Sequence, residues 1–305
     1  MSSKELDIYG LKEDPHRVEL ALEELNAKAD TGDKDAKELV ESMYWETDRD
    51  RAFDRFLKSR DFGQIDKFLR RYCDPSKSKI CEVGGGNGAV VWALGKSGYA
   101  DVSVLEPNGH RITGTEYLRE REDASDIRIW NDLDEWYASE EQYDLILTRN
   151  CVHHFQNIAM AAASIRAKIK PGGHWVMIRE WYADTASELY SALREHPLCQ
   201  RFKLYEWPYP ASHYVECMEL AGFRLFSIVP AGYADDCLAS YVPGEGPFRN
   251  QRLTDKVDRL LDRNPRRTRL SYRLELFGNR YLNRRKRAYT RPQAMVFQRA
   301  ELRNA

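Results

Sequence analysis

An α/β fold on a parallel sheet, with helices on both faces, is what this chain predicts, and three observations carry the prediction. From residue 79 onward, apolar runs of strand length alternate with helical stretches, at 79–84, 88–98, 102–106, 109–121, 127–130, 143–149, 157–169 and 173–181. The first run ends in Glu82-x-Gly84-x-Gly86-x-Gly88 directly before a helical stretch, and the next strand run ends in the acid Glu106. A strand, glycine turn, helix and strand in that order form a unit that holds a nucleoside-containing cofactor. With 305 residues, 42% of them hydrophobic and 31% charged, the chain can bury one sizeable core and a smaller appendage.

Residues 14 to 72 read as helices. Val18, Leu20, Leu22 and Leu25 mark an amphipathic segment, Gly32 and Asp33 break it, and Leu39, Val40 and Met43 resume it. Phe53, Phe56 and Leu57, then Ile65, Phe68 and Leu69, continue the helical spacing until Asp74 and Pro75 stop it. The glycine turn that follows has two readings. Gly84-x-Gly86-x-x-Ala89 satisfies the dinucleotide fingerprint, which seats a pyrophosphate on a helix N-terminus, and glycines after a strand also occur as plain turn punctuation. Glu82 favours a cationic ligand instead, because two like unit charges about 4 Å apart repel by roughly 4 kcal/mol at an effective dielectric near 20.

With these segments, the chain resembles the class I S-adenosylmethionine-dependent methyltransferases over about residues 75 to 235. The resemblance implies S-adenosylmethionine as cofactor, bound by Glu82, Gly84, Gly86 and Gly88, with Glu106 accepting hydrogen bonds from both ribose hydroxyls. The third strand, Ile127–Trp130, leads into Asn131 and Asp132, where the family often sets an acid against the adenine amino group. Tyr143–Arg149 is then the fourth strand, Asn150 to Phe155 the family's following loop, and Pro171 to Gly173 the turn into strand five. The resemblance also implies a Rossmann-like seven-stranded, mostly parallel sheet, with Phe223 to Val229 as strand six and Gln293 to Gln298 as an antiparallel last strand. Four segments result: a helical N-terminal extension or lid at 1–74, the cofactor domain at 75–231, a basic cap insertion at 232–292, and the last strand and tail at 293–305. Tyr44 and Trp45 are candidate lid contacts to the acceptor, or else anchors of the helices on the body.

A formal net charge of −1 conceals a division. Arg249 to Ala305 hold 17 Lys+Arg against 5 Asp+Glu, which leaves 30 against 43 for residues 1–248. A basic segment on an acidic body suits nucleic acid, anionic lipid, an acidic substrate, or docking on the chain's own acidic surface. Strand six exits at the carboxyl edge of the sheet, so the insertion is expected above the acceptor pocket. Arg266 and Arg267 then become candidate contacts to a phosphate or carboxylate on the acceptor.

Methyl transfer from a sulfonium is an in-line displacement governed by alignment and desolvation, with a base needed when the nucleophile is a hydroxyl. His153 and His154, in the loop after strand four, and Glu180, at the end of strand five, are the candidate bases, with structural roles as the alternative for either histidine. Asn150 lies at the same edge as a cofactor contact, while Trp181 and Tyr182 are candidate walls of the acceptor pocket. No spacing calls for a metal. Six scattered cysteines without a Cys-x-x-Cys pair point to reduced thiols. No apolar run reaches the roughly 18 residues that cross a bilayer, and Met1 to Asp7 lack a secretory apolar core, so a cytoplasmic protein is expected, at most peripheral to membranes through its basic cap.

The expected activity is methylation of oxygen on a small molecule or saccharide bearing an anionic group. An RNA or nucleotide-linked acceptor, a non-catalytic cofactor-binding partner subunit and a nicotinamide-dependent dehydrogenase are the rival readings.

Overall fold

The computed structural model describes residues 15–155, 157–195, 207–233, 251–284 and 286–301. Four helices come first: α1 (Pro15–Asp30), α2 (Lys34–Met43), α3 (Arg49–Leu57) and α4 (Arg60–Leu69). The side chains of Asp33, Asp48 and Ser59 accept the first free backbone N–H groups of α2, α3 and α4, which is why each helix starts where it does. The strands follow as β1 (Lys79–Val83), β2 (Asp101–Leu105), β3 (Arg128–Trp130), β4 (Tyr143–Arg149), β5 (Ile169–Ile178), β6 (Phe223–Val229) and β7 (Ala294–Arg299). Between them lie α5 (Ala89–Lys96), α6 (Glu116–Glu120), α7 (Leu133–Ala138), α8 (Ile158–Lys168), α9 (Ala186–Glu195), α10 (Ala211–Leu220), α11 (Gln251–Arg263) and α12 (Thr268–Tyr281).

The strands form one sheet in the order β3-β2-β1-β4-β5-β7-β6, parallel throughout except for β7, which runs antiparallel to both neighbours. Strand order reverses between β1 and β4, which opens a crevice at their carboxyl ends where ligands bind in open α/β sheets. Alternate residues of each strand feed two separate cores, one per face. Ile80, Leu145, Leu147 and Val176 pack with Phe53, Phe56 and Phe68 on one side, and Cys81, Ile146, Trp175 and Met177 pack with Trp136 and Tyr214 on the other. Helices α3 and α4 therefore share a core with the sheet.

Two stretches depart from the sequence expectation. Of 109–121 only α6 is helical, because Asn108 folds the preceding loop: its carbonyl accepts from Thr115 N and its side chain bonds His110 N and Thr113 Oγ1. β5 begins at Ile169 rather than 173 and ends at Ile178, since Arg179 turns left-handed at φ 57°.

The described part of the insertion wraps the sheet's free edge. Val257 and Leu261 of α11 join the first core, and Tyr272 of α12 joins the second. Between them Thr268 Oγ1 accepts from Ile228 N at 2.9 Å and Arg269 Nη1 donates to Leu225 O at 2.9 Å, so β6 does not present these groups bare. Thr268 is fully buried. Thr268→Val should therefore cost about 1–3 kcal/mol by leaving Ile228 N–H unsatisfied, while Thr268→Ser stays near wild type in urea unfolding; equal stability of all three proteins would refute the edge-capping role. The stretch 243–247, expected as the entry hinge, lies outside the described residues. No helix among the described residues is long and apolar enough to cross a membrane.

Candidate active site

At the reversal point the backbone turns through Gly84, Gly86 and Gly88, with φ of 69°, 54° and 76°. A Cβ on Gly84 would stand 2.1 Å from Cys151 Sγ, and one on Gly88 would stand 2.5 Å from Leu118 Cδ2. The turn is thus pressed against the loop after β4 on one side and α6 on the other, in a conformation that side chains rarely adopt.

Glu106, just past β2, ties this turn to the next loop. Its Oε2 accepts from Gly86 N at 2.8 Å and its Oε1 from Asn108 N at 2.9 Å. Glu82, at the end of β1, is buried, and its Oε2 has no hydrogen-bond partner. Burial pushes its carboxyl up to about 8, against the pull of Arg149, and Glu106 pushes the same way. Beside the turn, Gly84, Leu105, Pro107, Leu133 and Phe155 line a small apolar cleft. A buried carboxyl with an unpartnered oxygen, a glycine cradle and an apolar slot fit, in chemical character, a ligand with a cationic group at one end and a flat ring at the other.

Asn131 and Asp132, which precede Leu133 of that slot, are engaged locally. Asn131 Nδ2 donates to Glu106 O and Thr115 Oγ1, both at 2.7 Å, and its Oδ1 accepts from Arg119. Asp132 caps α7 by accepting from Asp134 N and Glu135 N. Asn150 follows β4 at φ 50° and donates its N–H to Ile178 O. Together with Arg179 it places two left-handed side-chain residues side by side at the carboxyl edge, strain of the kind held at functional sites.

His153 and Glu180 form a buried pair, each 1% exposed. His153 Nδ1 is hydrogen-bonded to Glu180 Oε1, which also accepts from Trp181 N, while Oε2 accepts from Val152 N at 3.0 Å. Burial alone would raise the Glu180 pKa, but His153 and the two backbone donors outweigh it and hold the carboxyl below its ordinary range. His154 is half-buried and lies over the His153 ring, with centroids 4.2 Å apart. Trp181 packs edge-on against His153, so the structure brings these three together. Tyr182 instead points into the second core against Tyr214.

Trp45 and Arg266 are not brought to this place. Trp45 packs on Leu25, Ala36 and Val40 of the first two helices. Arg266 stands over the Phe226 ring at 5.4 Å, on the sheet's edge, and exposed Arg267 sits in the same crossing turn. The edge strand needs covering, and the crossing turn that covers it carries both arginines there.

One group was not anticipated. Asp61 of α4 accepts from Arg149 Nη2 at 2.8 Å and from Tyr44 OH at 3.3 Å, and Arg179 Nη1 lies 3.8 Å away. Two cations share one carboxylate, and Arg149 Nε and Asp61 Oδ1 are buried without partners. Asn87 Nδ2 donates to Tyr44 O at 3.5 Å, which links the end of the second helix to the glycine turn. Among the described residues no three His, Cys, Asp or Glu side chains converge as metal ligands.

A sequence-family model described as a methyltransferase domain matches residues 53–228. Over 109 residues the chain is 26% identical to the ubiquinone biosynthesis O-methyltransferase of Rickettsia canadensis, covering 36% of this chain and 45% of that one. The chain thus matches less than half the length of that curated relative. Among solved structures, the mitomycin 7-O-methyltransferase MmcR is similar at a TM-score of 0.43 and 18% identity, covering 67% of this chain and 57% of that one. The [4+2]-cyclase SpnF is similar at a TM-score of 0.48 and 12% identity, covering 79% and 81%.

Proposed function

We propose, on the premise that this chain belongs to the methyltransferase-domain family of class I S-adenosylmethionine-dependent enzymes, that it methylates a hydroxyl of a small molecule or saccharide carrying an anionic group. The residues around the glycine turn fit the family's cofactor. The unpartnered Glu82 Oε2 suits its ammonium group, Glu106 its ribose, and the slot between Leu105, Leu133 and Phe155 its adenine. When bound, S-adenosylmethionine supplies a methyl group already activated by a cationic sulfur.

The buried His153–Glu180 pair beside half-buried His154 is the observation that carries the oxygen assignment. A group that takes a proton from an acceptor must reach acceptor space, and His153 is almost wholly enclosed. His154 is therefore the base in this reading. His153 is the positioning residue, anchored through Nδ1 so that its ring supports that of His154. Arg149 and Arg179, which meet at Asp61, are the candidate positive charge for an anionic acceptor.

The test is transfer of a labelled methyl group to a panel of hydroxylated carboxylates, sugar phosphates and uronates. His154→Ala should lower kcat by about 10²-fold or more, leave the cofactor Kd unchanged, and abolish the acidic limb of the pH–rate profile. Full activity of His154→Ala on an accepted substrate would remove the base from this assignment, and transfer only to amines would overturn the oxygen reading.

A further inference from the structure

Helix α12 turns Thr268 and Tyr272 toward the sheet. On its outward side Leu270, Leu274, Phe277 and Tyr281 follow at intervals of four, three and four, and each is more than half exposed, as is Leu282 beyond the helix end. At 3.6 residues per turn this spacing keeps all four in one narrow stripe along the helix. Phe277 and Tyr281 touch, with ring centroids 4.9 Å apart. A continuous apolar stripe on an outward face marks an interaction surface, whereas scattered apolar side chains do not.

Arginines border it. Arg273 and Arg280 fall together on one flank, exposed Arg266 and Arg267 stand just before the helix, and Arg284 and Lys286 just after it. The acid within the helix, Glu275, has its Oε1 occupied by the N–H groups of Tyr289 and Thr290. Glu188 of α9 is paired with Arg287 and Arg291.

We propose that α12 docks this chain on an anionic lipid surface, with the Leu270–Leu274–Phe277–Tyr281 stripe entering the headgroup boundary and the flanking arginines meeting lipid phosphates. Charge and shape select this occupant. A second copy joined by a two-fold axis would set this patch against itself, arginine facing arginine. Nucleic acid would pair with the arginines but gains nothing from Leu270 and Leu274, which cannot stack on bases as aromatic rings do. Lipid uses both halves, as basic amphipathic helices do when they lie in a membrane interface.

The experiment is co-sedimentation of the full chain with phosphatidylcholine vesicles, with and without phosphatidylglycerol. Binding is expected only with phosphatidylglycerol present, and it should weaken steeply at high salt. It should fall at least tenfold in Leu274→Glu/Phe277→Glu, and likewise in Arg273→Glu/Arg280→Glu. All four side chains are exposed, so thermal unfolding of both variants should match wild type, and either variant alone suffices as the test. Absence of binding to phosphatidylglycerol vesicles at low salt would overturn the proposal. So would undiminished binding by either variant, or binding of generic RNA without vesicles. A concentration-dependent dimer lost in Leu274→Glu/Phe277→Glu, without vesicle binding, would assign the stripe to a second copy.

Discussion

Glu180→Ala should destabilise the protein by about 3–5 kcal/mol, because it removes one partner of a buried charge-assisted pair and leaves His153 and two backbone N–H groups without their acceptor. Glu180→Gln should cost less, since an amide oxygen can still accept from Val152 N and Trp181 N, and the difference between the two variants isolates the charge. Acid should act in the same direction. The folded state holds this carboxyl below its ordinary range, so its contribution is present above the unfolded pKa near 4.5 and is lost as pH falls through the lower folded value. Urea unfolding of wild type and both variants at neutral and acid pH checks this. A wild-type-like midpoint for Glu180→Ala would mean that the pair does not hold the post-β4 loop.

Glu82→Gln should have opposite effects on stability and on cofactor binding. The Glu82 carboxyl rises to about 8 in the fold, whereas an unfolded glutamate ionises near 4.5. Between those values the folded state binds more protons than the unfolded state, so stability falls as pH rises from 4.5, and the full penalty is present above about 8. At pH 7 this amounts to up to about 3 kcal/mol, which Gln escapes, so the variant should melt higher than wild type without cofactor. Binding should suffer. Gln cannot pair with the ammonium of S-adenosylmethionine, and losing one partner of a buried charge pair costs about 2–5 kcal/mol. Wild-type affinity should rise toward pH 8, as Glu82 gives up its proton more readily, and the variant should show no such rise. Calorimetric titration from pH 6 to pH 9 reads both effects. Unchanged affinity in Glu82→Gln would show that this carboxylate does not face the ligand.

Local physics made the glycine turn and its two acids legible. Positive φ at Gly84 and Gly88 can be read from the chain because only glycine adopts it cheaply, and Glu82 and Glu106 stand at the ends of apolar runs whose period marks them as strands. The Asp61 cluster had no such signal. Asp61 sits in the first turn of α4, where an acid is ordinary helix chemistry, and its partner Arg149 is 88 residues away. Trp45 was open between an acceptor contact and an anchor of the helices, and only the packing shows that it completes the small core of the first two helices.

The basic insertion divides in the same way. Its charge excess and the helical spacing of Leu253, Val257, Leu260 and Leu261 are properties of the chain and were read from it. Its position was not, since residues 266–269 are fixed by the unpaired N–H and C=O groups of β6, a strand more than thirty residues earlier.

Glycine placement and apolar period by themselves gave the alternation of strands and helices and a turn for a nucleoside-containing cofactor, because each depends on residues within a turn or two of one another, while the choice of S-adenosylmethionine and the full strand count came from the family resemblance. Tertiary packing alone decided which histidine is enclosed, which arginines meet at Asp61 and which apolar stripe is left outward, because those outcomes depend on contacts between residues far apart in the chain.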